Sequence, residues 1–169
     1  MTTSIDRRVL GDPARMRVLA SIDFDNPELR RALDRISVRT AQRTGLPVSL
    51  VTLVLNTAQM TVGVSGLDNW VTEADGTPIE WSFCANAVIS GHPYVIPDAV
   101  HSEQAGNPLV TQDRIGSYAG VPVTLGGQIV GAHCIIGPTA HLFTTLQLAE
   151  LEQAANEIAA LFQQFSDLD

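Results

Sequence analysis

A chain of 169 residues, 45% hydrophobic and 17% charged, is enough for one domain with its own core, without disulfides or structural metal, and excludes a multi-domain machine. No apolar run approaches the roughly 18 residues of a membrane span, and the N-terminus MTTSIDRRVL lacks the basic-then-apolar layout of a secretory signal. Two cysteines, Cys84 and Cys134, are too few for a stapled extracellular fold, and a net charge of -8 argues against nucleic acid or anionic membrane as partners, so the expected setting is cytoplasmic.

The charge is polarised. Nine of the ten basic residues, all arginine, lie between Arg7 and Arg43, while twelve of the eighteen acids lie beyond residue 45. Interleaved with Asp and apolar residues, these arginines read either as the solvated flank of a helix or as a surface for a partner's carboxylates.

In chain order, residues 1–23 read as an N-terminal arm or short helix, with Arg15 to Leu19 as one or two turns packed loosely or held for an interface. Asn26, Pro27 and Glu28 open a helix that carries Leu29, Leu33 and Ile36 on one face and stops at Gly45. Val48 to Leu55 reads as a central strand covered on both sides, and Gln59 to Ser65, with period two, as its antiparallel partner. Gly66 to Ile79, including Trp70, reads as a surface loop. Trp81 to Ser90 fits a short helix capped by Ser82, followed by a brief strand at Tyr94 to Ile96 and a loop or irregular helix from Ala99 to Leu109. Ser117–Leu125 and Gln128–Ile136 flank Gly126-Gly127, the strongest local signal, a tight hairpin. From Phe143 a long helix repeats Leu146, Leu151, Ala154, Ala155, Ile158, Leu161, Phe162 and Phe165 at steps of three and four. This order describes an α/β sandwich of α+β type with an antiparallel sheet, as one domain over residues 24–169.

Among chemistry-bearing residues the cysteines come first. Cys84 falls near the start of the short helix, where the helix field favours a thiolate, and Cys134 sits in the last strand with Val130, Ala132 and Ile136 on its side. Redox work and simple packing both remain open for them. His92, His101, His133 and His141 show no zinc spacing, and alternation turns His133 away from Cys134, so no metal is expected and no cofactor is required. The scarce aromatics Trp81, Phe83, Tyr94 and Tyr118, with Asp98, Asn107 and Gln112, would line a concave site between helix and sheet or close the core, while Trp70 suits a lid or the surface. Beyond the apolar side facing the sheet, Leu148, Leu151, Ala155, Ile158, Phe162 and Phe165 leave the last helix a stripe wide enough for a second helix.

Three blocks, LPVSLVTLVLNTAQMTVGVSGL, SFCANAVISGHPYVIPDAVHSEQAGNPLV and IGSYAGVPVTLGGQIVGAHCIIG, occur in an order that resembles a bacterial GAF domain, from about Phe24 to the end. The resemblance implies a central antiparallel sheet with terminal helices on one face and a loop-covered cavity on the other. It also implies ligand sensing without fixing the ligand, and homodimerisation through the terminal helices. Carried over by position, Cys84, Asp98, Tyr118 and Ala119 would stand at the cavity. The chain has no lysine for the Asn-Lys-x-Phe pattern of members that bind cyclic nucleotides, and no Cys-His pair for a linear tetrapyrrole. It has only two of the several cysteines of relatives that reduce free methionine sulfoxide, and His92, His101 or His141 are the only prospects for haem. The expected function is a small-molecule sensor that signals through a protein partner. The alternatives are a thiol redox sensor or reductase using Cys84 and Cys134, and a ligand-free dimerisation module.

Overall fold

The computed structural model describes residues 5–66 and 76–168. Helices α1 (Arg7–Leu10), α2 (Pro13–Ala20) and α3 (Pro27–Thr44) precede strands β1 (Val48–Val54), β2 (Ala58–Ser65) and β3 (Gly76–Pro78). Then follow α4 (Cys84–Ser90), β4 (Tyr94–Ile96), α5 (Pro108–Thr111), the hairpin β5 (Ser117–Leu125) and β6 (Gln128–Gly137), and α6 (Thr145–Gln164). The six strands form one sheet in the order β3-β2-β1-β6-β5-β4, and every neighbouring pair is antiparallel.

Local chemistry accounts for the element ends. The Asn26 side chain accepts from the Glu28 N–H, Pro27 stands at the first helical position and Gly45 closes α3, as expected from the sequence. Gly126 and Gly127, at φ 56° and 77°, make the two-residue β5–β6 turn, whose paired left-handed angles match the twist of the strands. Thr144 and Gln147 cap α6 reciprocally, and the Gln147 amide also donates to the Thr44 carbonyl at 2.8 Å, fastening the start of α6 to the end of α3.

Both faces of the sheet are covered, which is why β1 reads as an almost unbroken apolar run. Val51 and Leu53 of β1, Ala119, Val121 and Val123 of β5 and Ile135 of β6 point to a core shared with α2, α3 and α6. Leu50, Val54, Tyr118, Ala132, Cys134 and Ile136 point the other way, into a second core under α4. The register skips Val130 opposite Val123 and Thr124, a β-bulge that turns Val130 to the face opposite Cys134, contrary to simple alternation.

Three further expectations need correction. The N-terminal segment is helical at Arg7–Leu10 and Pro13–Ala20, the second of the two expected forms, but it does not pack loosely: Leu10 is completely buried in the second core, and Val18, Leu19 and Ile22 are buried in the first. The chain end holds it there, with the Asp23 N–H donating to the Phe165 carbonyl and the Asp167 N–H to that of Ser21. Nor is residue 66 to 79 all loop, since Gly76–Pro78 adds an edge strand to β2 and Ile79 is fully buried; Trp70 lies outside the described residues. A three-residue strand containing Gly and Pro leaves no periodic signal. Finally, Leu151, Ala155, Ile158 and Phe162 are buried within the protomer, against the sheet and α3, so they offer no spare stripe to a second helix.

Between α3 and β6 lies a buried polar contact. His133 Nδ1–H donates to the Leu50 carbonyl at 2.9 Å, which makes Nε2 the acceptor for the Thr40 hydroxyl at 2.8 Å. Burial pulls the imidazole down to about 4, with Arg39 lowering it further and the Leu50 carbonyl, Glu150 and Glu157 acting in the opposite sense. A histidine whose folded value lies below its ordinary 6.5 supports folding fully above that value and loses its contribution as the pH falls from 6.5 towards 4. Lowering the pH from 7 to 5 should therefore cost about 2 kcal/mol of unfolding free energy through this group. His133→Gln, less stable at neutral pH, should lose most of that slope in urea titrations; an unchanged slope would assign the acid sensitivity elsewhere.

Candidate functional site

α4 is set over the second core by the Ser82 hydroxyl, which accepts from the Ala85 N–H at 3.0 Å and donates to Gln59 Oε1 at 2.5 Å. This ties the helix start to β2 and turns Cys84, Ala85, Ala87 and Val88 inward. Beneath it, Leu50, Tyr118, Cys134 and Ile136 form a floor, and Gln59, Thr77, Phe83, Leu109 and Ile115 form walls. The enclosed cavity is about 20 Å³, room for one water molecule. An outer cleft of about 200 Å³ beside Pro47, Asp113 and Arg114 shares Ile115 and Ile136 as its partition from the inner cavity.

Tyr118 occupies the centre. Its ring lies 5.1 Å from that of Phe83 and 6.0 Å from that of Tyr94, both tilted, and its hydroxyl donates to Cys84 Sγ at 3.0 Å. The ring fits only because residue 120 is glycine: a Cβ there would fall on the Tyr118 hydroxyl and within 2.7 Å of Cζ. Cys84 and Cys134 are both free thiols, 1% and 0% exposed. A hydrogen bond from Cys134 draws the Cys84 thiol below its usual value, against the opposing effect of burial and with help from Thr52 and Tyr118. Burial pushes the Cys134 thiol well up, and burial together with the two neighbouring thiols does the same to the Tyr118 phenol.

The fold thus brings Phe83, Cys84, Tyr118 and Cys134 together, and separates the other residues expected at the site. Ala119 faces the helical layer, because alternation along β5 puts it opposite Tyr118. Asp98 lies on the surface beyond β4, its carboxylate 2.9 Å from His101 Nδ1, while Ile96 and Ala99 turn inward. Trp81 is 38% exposed, and only its carbonyl takes part, accepting from Asn107 at 3.1 Å. Asn107, buried, also donates to Gln104 and caps Leu109, so it straps the α5 segment without entering the cavity; Gln112 is exposed. Tyr94 is half-buried at the rim, donating to Glu103 at 2.7 Å and accepting from Gln104. Nothing in the sequence marks Gln59, Thr77 or Gly120 as residues of the site. Gln59 and Thr77 are buried only because the edge pairing of β3 crosses β2, which no local pattern announces.

A larger groove of about 640 Å³ between α1, the end of α4 and the β5–β6 turn is broadly open to solvent. Arg15 on its floor is committed to the carbonyls of Leu10, Ile129 and Leu55, so the groove lacks the enclosure and converging free polar groups of a binding site. Among the described residues, no group of three or more His, Cys, Asp or Glu side chains is placed to hold a metal ion, and no helix is long and apolar enough to cross a membrane.

Comparison with known proteins bears on this architecture. The model of the GAF domain family matches residues 28–162. The chain belongs to the GAF domain family. No curated protein sequence matches it. Among solved structures it is similar to the GAF domain of an Acinetobacter phosphoenolpyruvate-protein phosphotransferase, at 13% identity and a TM-score of 0.69, covering 89% of this chain and 90% of that one. It is similar to the type II free methionine-R-sulfoxide reductase of Thermoplasma acidophilum, at 15% identity and a TM-score of 0.67, covering 82% and 94%. The free methionine-R-sulfoxide reductase of Neisseria meningitidis, solved in complex with its substrate, matches at 14% identity and a TM-score of 0.66, covering 96% and 94%. At these identities the likeness is one of fold, which this GAF domain shares with the GAF domain of a phosphotransferase and with reductases alike.

The tight fit of Tyr118 over Gly120 yields a direct check. Gly120→Ala should push the phenol off Cys84 and lower stability by about 1–3 kcal/mol in urea unfolding. Wild-type stability in that variant would mean that the ring lies elsewhere.

Proposed function

We infer that this GAF domain is a small-molecule sensor that takes its ligand in the pocket beneath α4 and reports to a protein partner. The observation that carries the reading is the pocket itself: an apolar enclosure into which Gln59, Thr77, Cys84 and Tyr118 converge, joined through a two-residue partition to a 200 Å³ cleft. Swinging Ile115 aside would merge the two spaces into a site for a compact metabolite. The connector before β5 already holds Arg114 at φ 63°, a left-handed conformation that costs a non-glycine residue about 1–2 kcal/mol and favours rearrangement there. The Neisseria reductase, solved with its substrate, is a relative in fold that takes a small molecule.

A route from pocket to output runs through β1 and β6. Leu50 lines the cavity while its carbonyl accepts from His133, and His133 in turn contacts Thr40 on α3. Displacement of the floor is thus felt by the helical layer. There, Val38 on α3 and Leu142 and Leu146 around the start of α6 are exposed, the last two by more than four-fifths, and we assign partner or homodimer contact to this side.

The placing of Cys84 and Cys134 on the lining of one small cavity favours one second reading, a thiol reductase with Cys84 attacking and Cys134 resolving. Turnover of free methionine sulfoxide with a dithiol reductant tests it, and no turnover retires it.

Native mass spectrometry of freshly purified protein, beside a denatured control, tests the sensor reading. The expected result is a non-covalent mass lost on denaturation, with capture weakened about tenfold in Gln59→Leu, which leaves a polar ligand group unpaired. A protein that is empty as purified and captures nothing from a small-metabolite extract would leave the ligand-free interaction module as the account of the chain. The same spectra count subunits, and if the helical side mediates a dimer, Leu146→Arg should shift it to monomer.

A further inference from the structure

Ligand capture does not require two thiols on the lining of one small apolar pocket, yet four elements combine to put them there. β6 presents Cys134 in the middle of the sheet, paired with Leu50 on β1 and Gly120 on β5. α4 brings Cys84 to the same cavity, held by the Ser82 bridge to Gln59. The missing side chain at Gly120 lets the Tyr118 hydroxyl reach Cys84 Sγ. Both cysteines border the same 20 Å³ space, and among the described residues no charged side chain lines it.

We propose that Cys84 and Cys134 are a redox pair, closed to an intramolecular disulfide by a small peroxide, and that this bond governs the pocket by tying α4 to its floor. The proposal deepens the sensor reading, since it concerns regulation of the same site. In the first step the Cys84 thiolate attacks one oxygen of hydrogen peroxide; the O–O bond breaks, an S–O bond forms, and the departing hydroxide leaves as water with the proton given up by Cys84. In the second, the Cys134 sulfur attacks the sulfenic sulfur of Cys84, an S–S bond replaces the S–O bond, and the hydroxyl leaves as water with the Cys134 proton. The two thiols lose two electrons and two hydrogens in total, and the peroxide becomes two waters.

The surroundings divide the roles. Cys84 Sγ accepts from the Tyr118 hydroxyl at 3.0 Å, a donor that favours its thiolate, whereas Cys134, fully buried in the middle of the sheet, keeps its proton until the sulfenic acid presents itself. Burial also selects the oxidant. A cavity with room for a single water admits peroxide only through slight local opening and shuts out bulky disulfides such as oxidised glutathione.

The test exposes folded, reduced protein to hydrogen peroxide, then denatures and alkylates it for intact mass and peptide mapping. The expected product is monomeric, lighter by two hydrogens, refuses alkylation at both cysteines, yields a Cys84–Cys134 cross-linked peptide and reverts with dithiothreitol. Cys134→Ser should stop at a single added oxygen on Cys84, Cys84→Ser should give no rapid product, and Tyr118→Phe should form the same cross-link roughly threefold more slowly. Two thiols that still alkylate after exposure, irreversible sulfinic acid in the wild type, or cross-links only between chains would overturn the proposal. The same exposure to oxidised glutathione should leave the folded protein reduced. Ligand capture measured on the reduced protein keeps the two readings apart: capture without cross-linking defeats only the switch, and cross-linking without capture defeats only the ligand.

Discussion

Strand β6 has to serve two cores at once. It lies in the middle of a sheet that is covered on both faces, so each successive side chain enters a different environment, His133 towards α3 and α6 and Cys134 towards α4. A slip of one residue in its pairing with β1 would exchange the two layers and strand an imidazole among the aromatic rings. The Gly126-Gly127 turn, the bulge at Val130 and the pairings of Leu50 with Cys134 and Val51 with His133 hold that register.

The two layers handle buried polarity differently. On the helical side His133 is satisfied by one carbonyl and one hydroxyl and remains neutral, which makes it a rigid fastening between sheet and helix. Under α4 the polar groups are two thiols, a phenol, an amide and the Thr77 hydroxyl, all uncharged, and the thiols retain chemistry in apolar surroundings. Structural firmness therefore lies on one face and adaptability on the other, with β1 and β6 as the shared wall.

Much of this fold was legible locally. The Asn-Pro start and Gly stop of α3, the β5–β6 hairpin and the short helix capped by Ser82 all follow from backbone chemistry within a few residues. The site was legible in part: Phe83, Cys84, Tyr118 and Cys134 do meet, whereas Ala119 is on the wrong side of β5, Asp98 pairs with His101 on the surface, and Trp81 faces solvent. Gln59 and Thr77 look like edge residues along the chain and become pocket walls only through the pairing of β2 and β3. The apolar stripe of α6 suggested a partner, yet α3 and the sheet take it up inside the protomer.

By itself the sequence determined the main elements, α3, β1, β2, the β5–β6 hairpin and the final helix, that the sheet is antiparallel, and, through three ordered blocks, the family, because capping, turn angles and alternation act over a few residues. The tertiary structure alone decided that the N-terminal segment is anchored by the chain end, that Cys84 and Cys134, fifty positions apart in the chain, line one cavity, and that the pocket is nearly filled. Those outcomes depend on register and on the seating of α4 over β6, where residues distant in the chain compete for one small volume and side-chain bulk settles which of them meet.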